Sequence, residues 1–111
     1  MIFKTCKLYE KTLSKQDKLI KNKLKEFMTL KLGDPRAKFG SSDYAFSSTG
    51  NFAGLWHAKL SFDNSIVYKI EGNVCYMYGI FSHDESGTGQ PPNKNRQVAL
   101  GTKLRNQQFE K

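Results

Sequence analysis

The chain has 111 residues, with 18 Lys and Arg against 10 Asp and Glu and a formal net charge of +8. That length holds one domain, residues 1–111, around one hydrophobic core, and the cationic excess points to a polyanionic partner, nucleic acid ahead of a merely solubilising surface. No run approaches the ~20 apolar residues of a membrane span, the start MIFKTCKLYE is too charged for a signal peptide, and no long amphipathic segment suits a membrane surface; a cytoplasmic protein with no membrane partner is expected.

In chain order, residues 2–9 (IFKTCKLY) read as a short first strand. A long helix is expected next, capped by Ser14 with Asp17 as its capping-box partner. Leu13, Ile20, Leu24, Phe27 and Met28 follow helical spacing, with Leu30 and Leu32 near the end. Gly33 and then Asp34-Pro35 stop it. Lys15, Lys18, Lys21, Lys23 and Lys25 lie mostly off that stripe, so they form either a solvated face or a phosphate-facing one. Residues 34–54 are rich in Gly and Ser yet carry Phe39, Tyr44, Phe46 and Phe52, which reads as an ordered connection with a helical turn near residues 35–39. Aromatics there are more often anchors than base-stacking platforms.

The stretch from Leu55 to Glu85 is the organising one. Trp56, Ala58, Leu60 and Phe62 alternate with His57, Lys59 and Ser61, giving one apolar face and one polar, basic face. Asp63-Asn64 turns the chain. Ile66, Tyr68 and Ile70 then oppose Ser65, Val67, Lys69 and Glu71. Gly72-Asn73 turns it again, as residues tolerant of positive φ do in hairpins. Val74 to Phe81 is apolar or aromatic nearly throughout, the mark of a central strand covered on both faces. Residues 84–97 read as a long loop, and residues 98–111 as a short helix through Val98, Leu100 and Leu104 fraying into a polar tail. The fold class expected is α+β: an antiparallel sheet of about four strands with a long N-terminal helix packed on one face.

Cleaving RNA without a metal requires a base for the 2′-hydroxyl, an acid for the leaving 5′-oxygen and a cation for the phosphate charge. His57, Lys59 and Lys69 share the polar face, and His83 ends the last strand, so these four are the candidate catalytic groups. Each has an ordinary reading beside the catalytic one: a solvent-face strand residue for His57, Lys59 and Lys69, and a hydrogen-bonded strand terminus for His83. Asp84 and Glu85 are more often turn-formers than catalytic acids. Lys18, Lys21, Lys25, Lys94 and Arg96 are candidate RNA contacts or simply solvated. No metal-ligand spacing and no cofactor motif appears, and the glycines at Gly87-Thr88-Gly89 lack the Lys-Ser/Thr of a phosphate loop. Cys6 and Cys75 suit two reduced thiols, able to bridge only if their strands are neighbours.

The runs GLWHAKL, SIVYKIEGN and YMYGIFSHDE resemble the RelE/YoeB-like toxins of bacterial toxin–antitoxin modules, as does the order of strand, basic helix, irregular link and meander over residues 2–85. The resemblance implies a ribosome-dependent endoribonuclease that cuts mRNA in contact with ribosomal RNA and is neutralised by a cognate antitoxin. Relatives of this fold that inhibit DNA gyrase, or a basic module that binds nucleic acid without cutting it, are the alternatives. His57 and Lys59 stand where such toxins carry basic strand residues, and His83 where they place a terminal basic or imidazole group. Ser65 stands where they carry a phosphate-contacting arginine, with Lys69 as a substitute on the same face. No Tyr follows Tyr78 to match the family's late tyrosine.

Overall fold

The computed structural model describes residues 1–41, 43–46, 50–88 and 91–109. The chain runs β1 (Ile2–Thr5), α1 (Lys7–Ser14), α2 (Lys18–Gly33), β2 (Tyr44–Ala45), β3 (Trp56–Lys59), β4 (Asn64–Glu71), β5 (Val74–Ser82), α3 (His83–Ser86) and α4 (Lys94–Arg105). Among the described residues the sheet has five strands, in the order β1-β5-β4-β3-β2. The meander β3–β4–β5 is antiparallel as expected, but β1 joins β5 in parallel, so the sheet is mixed. The two-residue strand β2 extends the far edge beside β3.

The expected long helix is two helices. Ser14 ends α1 rather than starting α2, and its hydroxyl bonds back to the Lys11 carbonyl at 2.8 Å. Asp17 is the true cap of α2: its carboxylate accepts the Ile20 amide at 3.0 Å, satisfying one of the helix's free N–H groups. Residues 7–9 are likewise helix and not strand; Leu8, Tyr9 and Thr12 bury one side of α1. The Thr12 hydroxyl accepts the Ile80 amide at 3.0 Å, so α1 caps β5 where β1 stops covering its edge.

Helix α2 packs as the stripe demands. Ile20, Leu24 and Phe27 are buried, and the Phe27 ring meets Tyr68 edge-on at 5.0 Å. The stripe then continues to Lys31, which is only 3% exposed, while Leu32 is 55% exposed. Among residues 34–41 and 43–46 there is no helix; Pro35 sits in a turn closed by the Ala37 amide on the Asp34 carbonyl.

The opposite face of the sheet is covered too, which departs from the expectation of helices on one face. Helix α4 starts at Lys94, inside the stretch expected as loop, and is capped by the Asn93 side chain on the Arg96 amide. It buries Leu100, Gly101 and Leu104. A Cβ at Gly101 would lie 2.7 Å from the Asn51 carbonyl oxygen, so glycine lets α4 approach the 50–55 segment closely. The tail is not a fraying one as far as it is described: Phe109 packs against Tyr76 and Tyr78 at 5.1 and 4.9 Å between ring centres. Strand β5 is therefore central and covered on both faces, as its apolar run implied. Cys6 and Cys75 are both free and buried; the Cys6 thiol points to the Met77 and Tyr78 carbonyls. Among the described residues no helix is long and apolar enough to cross a membrane.

Candidate functional site

Alternation along β3 puts His57 and Lys59 on the face away from α2. Register carries this across the sheet: His57 stands opposite Val67 and Gly79, and Lys59 opposite Ser65 and Phe81. The next residue but one after Phe81 is His83, the first of α3. A capping box holds it there: the Ser82 hydroxyl accepts the Glu85 amide at 3.0 Å, and the Glu85 carboxylate accepts the Ser82 amide. The hairpin Ser61–Asp63 closes the same end. Its Asp63 carboxylate accepts the His83 backbone amide at 3.4 Å and lies 3.9 Å from the His83 Nδ1. Lys59, Asp63 and His83 thus share one corner of the sheet, and His57 stands two residues back along β3 on the same face.

His57 is half-buried between two rings, Tyr44 on the paired strand β2 and Phe46 beyond it, each centred 4.4 Å away. Burial pushes its pKa below the ordinary 6.5, opposed by the Asp43 carboxylate and assisted by His83 and Lys59. Near neutral pH it is therefore the unprotonated imidazole, able to accept a proton. Lys59 is exposed, with its Nζ 5.9 Å from the centre of the Phe62 ring. Phe62 is 93% exposed. The alternation had placed it on the apolar face, but β3 ends at Lys59 and Phe62 rides on the turn, so the period-2 rule no longer applies to it. The only sequence sign of this was Asp63-Asn64 directly after it.

Lys69 does not join the corner. It shares the face, but on β4 it lies two residues past Val67, the partner of His57, and four, roughly 13 Å along a strand, past Ser65, the partner of Lys59, so it stands on the far side of His57 from Lys59 and His83. It is bound to Glu71 at 2.6 Å, and that hydrogen bond, ahead of the counteracting burial, raises its pKa. A raised value is the wrong direction for a lysine base. Asp84 and Glu85 are structural: Asp84 pairs with Arg96 at 2.9 Å, and Glu85 completes the capping box. Arg96 also donates to the Asp84 carbonyl at 2.8 Å, and Lys94 is exposed at the start of α4. Lys18, Lys21 and Lys25 are exposed on α2, off the buried Ile20–Leu24–Phe27 side and on the other face of the sheet from His83. Among the described residues no three His, Cys, Asp or Glu side chains gather as a metal site.

A second charged cluster escaped the sequence reading. Lys31 and Asp43, 3% and 1% exposed, pair at 2.7 Å, and the Tyr68 hydroxyl donates to the other Asp43 oxygen. Lys31 also donates to the Ala37 carbonyl, and Asp43 accepts the Phe39 amide at 2.9 Å. Every polar atom in it is bonded and sealed from water. It pins the 37–43 link to α2 and the sheet.

Chemically, the corner supplies a neutral imidazole, an ammonium group, a second imidazole beside a carboxylate, and a solvent-facing ring. That set can take a proton, give one, and stabilise charge on a phosphate.

No protein-family model and no curated protein matches the chain. Solved structures do. A YoeB/ParE toxin from Agrobacterium tumefaciens superimposes with a TM-score of 0.62 at 16% identity, covering 75% of this chain and 99% of that one. A His-to-Gln variant of YafQ from E. coli gives 0.61 at 19% identity, covering 74% and 92%. The E. coli DinJ-YafQ complex gives 0.59 at 19% identity, again over 74% and 92%. The fold is that of the YoeB/ParE and YafQ toxins. The expected resemblance holds for the shape of the chain, and about a quarter of this chain lies outside each match.

Proposed function

We propose that this chain is a toxin of a toxin–antitoxin module, acting in the cytoplasm as an endoribonuclease that cuts mRNA on the ribosome. The observation that carries the reading is the meeting of Lys59, Asp63 and His83 at one corner of a toxin-type sheet, with His57 two residues back along β3 on the same face and the ring of Phe62 exposed beside Lys59. In the proposed step His57, neutral at physiological pH, takes the proton of a ribose 2′-hydroxyl. The 2′-oxygen attacks the adjacent phosphorus, and the bond from phosphorus to the 5′-oxygen breaks. His83, oriented by Asp63, protonates that 5′-oxygen, leaving a 2′,3′-cyclic phosphate and a 5′-hydroxyl. Lys59 stabilises the extra negative charge on the phosphate as the bond forms. These groups supply base, acid and cation, so the step calls on no metal and no cofactor. Phe62 offers a π-face on which a base flanking the cut can stack.

The exposed lysines Lys18, Lys21 and Lys25, with Lys94, would make sequence-independent contacts to ribosomal RNA. YafQ occurs in a complex with DinJ; a cognate antitoxin covering the corner is the corresponding partner proposed here. Ser65 favours a second reading. It is 8% exposed and puts no guanidinium beside Lys59, which suits a toxin that binds its target, gyrase or nucleic acid, without cutting RNA.

The deciding experiment is a reconstituted translation system with cleavage mapped by primer extension. Cuts confined to translated message and lost in His83→Ala support the nuclease. Intact message with normal translation refutes it, and a DNA supercoiling assay with gyrase then tests the second reading.

A further inference from the structure

Helices α1 and α4 meet beside the end of β5 and leave a cleft between them of about 360 Å³. Lys11 and Lys15 line one wall and Arg96 and Lys103 the other, over a floor that includes Phe81. Among the described residues Lys11, Lys15 and Lys103 make no ion pair, and all three are exposed. Among the described residues of the lining the one carboxylate, Glu85, is engaged in the capping box that holds His83. We propose that this cleft is a binding track for the phosphate backbone of single-stranded RNA, continuous with the His57–Lys59–His83 corner.

Geometry and charge both support that occupant. Lys11 and Lys15 are one helical turn apart, roughly 6 Å along α1, and Arg96 and Lys103 are about two turns apart, roughly 10 Å along α4. A stacked strand carries a phosphate every ~3.4 Å of its axis, so a track of this length faces about three of them. Continuity comes from α3: Glu85 lies two residues after His83, and Arg96 is tied to Asp84 between them. The floor argues against an acidic amphipathic peptide. Leu8, Phe81 and Leu100 are 7%, 5% and 9% exposed, so little apolar surface is left to receive such a helix. Among the described residues of the lining no aromatic is exposed, which fits binding to the backbone and no reading of the bases.

The proposal rests on the nuclease reading only for its choice of RNA, and its test is independent of cleavage. The probe is a fluorescent single-stranded oligonucleotide with 2′-O-methyl riboses, which has no 2′-hydroxyl to react. Its anisotropy is titrated against the intact protein over a series of salt concentrations. The triple variant Lys11→Ala/Lys15→Ala/Lys103→Ala should weaken binding at least roughly tenfold at low salt and flatten the log–log salt slope by about 2, at ~0.7 for each phosphate no longer neutralised. The matched variant Lys23→Ala/Arg36→Ala/Lys38→Ala removes the same charge from the α2 side of the sheet, at exposed residues away from the cleft, and should cost clearly less. Equal losses in both variants would reduce the effect to net charge and overturn the track. So would a cleft variant that binds the oligonucleotide normally but loses affinity for a poly-glutamate peptide. If the oligonucleotide result holds while translated mRNA stays intact, the track stands and the nuclease reading falls.

Discussion

Two clusters in this protein are built from nearly the same residue types and do opposite things. On the α2 side of the sheet, Lys31, Asp43 and Tyr68 are sealed from water, with each polar atom bonded to another. At the opposite corner, Lys59, Asp63, His57 and His83 sit in or near solvent, and the Lys59 ammonium lies over the exposed Phe62 ring. A buried ion pair whose charged atoms are already bonded within the fold fixes a loop. An exposed, incompletely paired set has its valence facing outward. The same lysine chemistry thus serves architecture in one place and is available for function in the other.

The comparison breaks most sharply at Asp43. Asp43→Ala leaves Lys31 charged and buried and the Tyr68 hydroxyl without its acceptor, and should cost about 3–5 kcal/mol of stability, read from urea or thermal unfolding. The joint change Lys31→Met/Asp43→Leu should recover most of that loss, because it removes both charges together. At the corner the signs reverse. His83→Ala should leave the unfolding midpoint within about 0.5 kcal/mol of wild type, yet lower the cleavage rate by roughly 10²–10⁴-fold.

Phe62→Ala should be intermediate. An exposed ring contributes nothing to the core, so stability stays level, while affinity for single-stranded RNA falls by ~1–3 kcal/mol if one base stacks there. The subtlest effect concerns His57. Its folded pKa is depressed by burial first, with Asp43 opposing and the neighbouring His83 and Lys59 adding to the depression. A base must be unprotonated, so the rising limb of the activity profile should have its midpoint below 6.5, with a falling limb where the acid loses its proton. Lys59→Ala removes one of the depressing charges and should move the His57 titration upward, measurable by NMR of the imidazole protons. For stability the sign is the same as for other depressed bases: His57 favours the folded state above its unfolded pKa, and that contribution is lost as pH falls through the folded value.

How much of this was legible beforehand follows the same division. The meander was readable because its strands alternate with period two and its turns carry Asp63-Asn64 and Gly72-Asn73. The body of α2 was readable from Ile20, Leu24 and Phe27. Its start was not, because Ser14 and Asp17 both fit an N-cap, and only the backbone tells that Ser14 closes the preceding helix. Residues 7–9 fell to the usual ambiguity of a short apolar run, which suits strand and helix equally. The later half of helix α4 was readable through Leu100 and Leu104, but its start at Lys94 was hidden by the polarity of residues 94–97. The Lys31–Asp43 pair was invisible, since a lysine on a helix is ordinarily assigned to solvent and its partner lies twelve residues away in a Gly/Ser-rich link. At the site, alternation puts His57, Lys59 and Lys69 on one face and the end of the last strand places His83, while their spacing along the strands is not legible, because facing alone does not measure distance: Lys69 stands on the far side of His57 from His83.

One measurement tests the division between architecture and function most directly: mRNA cleavage in reconstituted translation by His83→Ala and Lys69→Ala, each first shown to unfold like wild type. If the corner carries the chemistry, His83→Ala abolishes the primer-extension stops on translated message and Lys69→Ala leaves them in place. Loss of cleavage in Lys69→Ala with retention in His83→Ala would contradict it and move the site to the α4-covered end of the sheet.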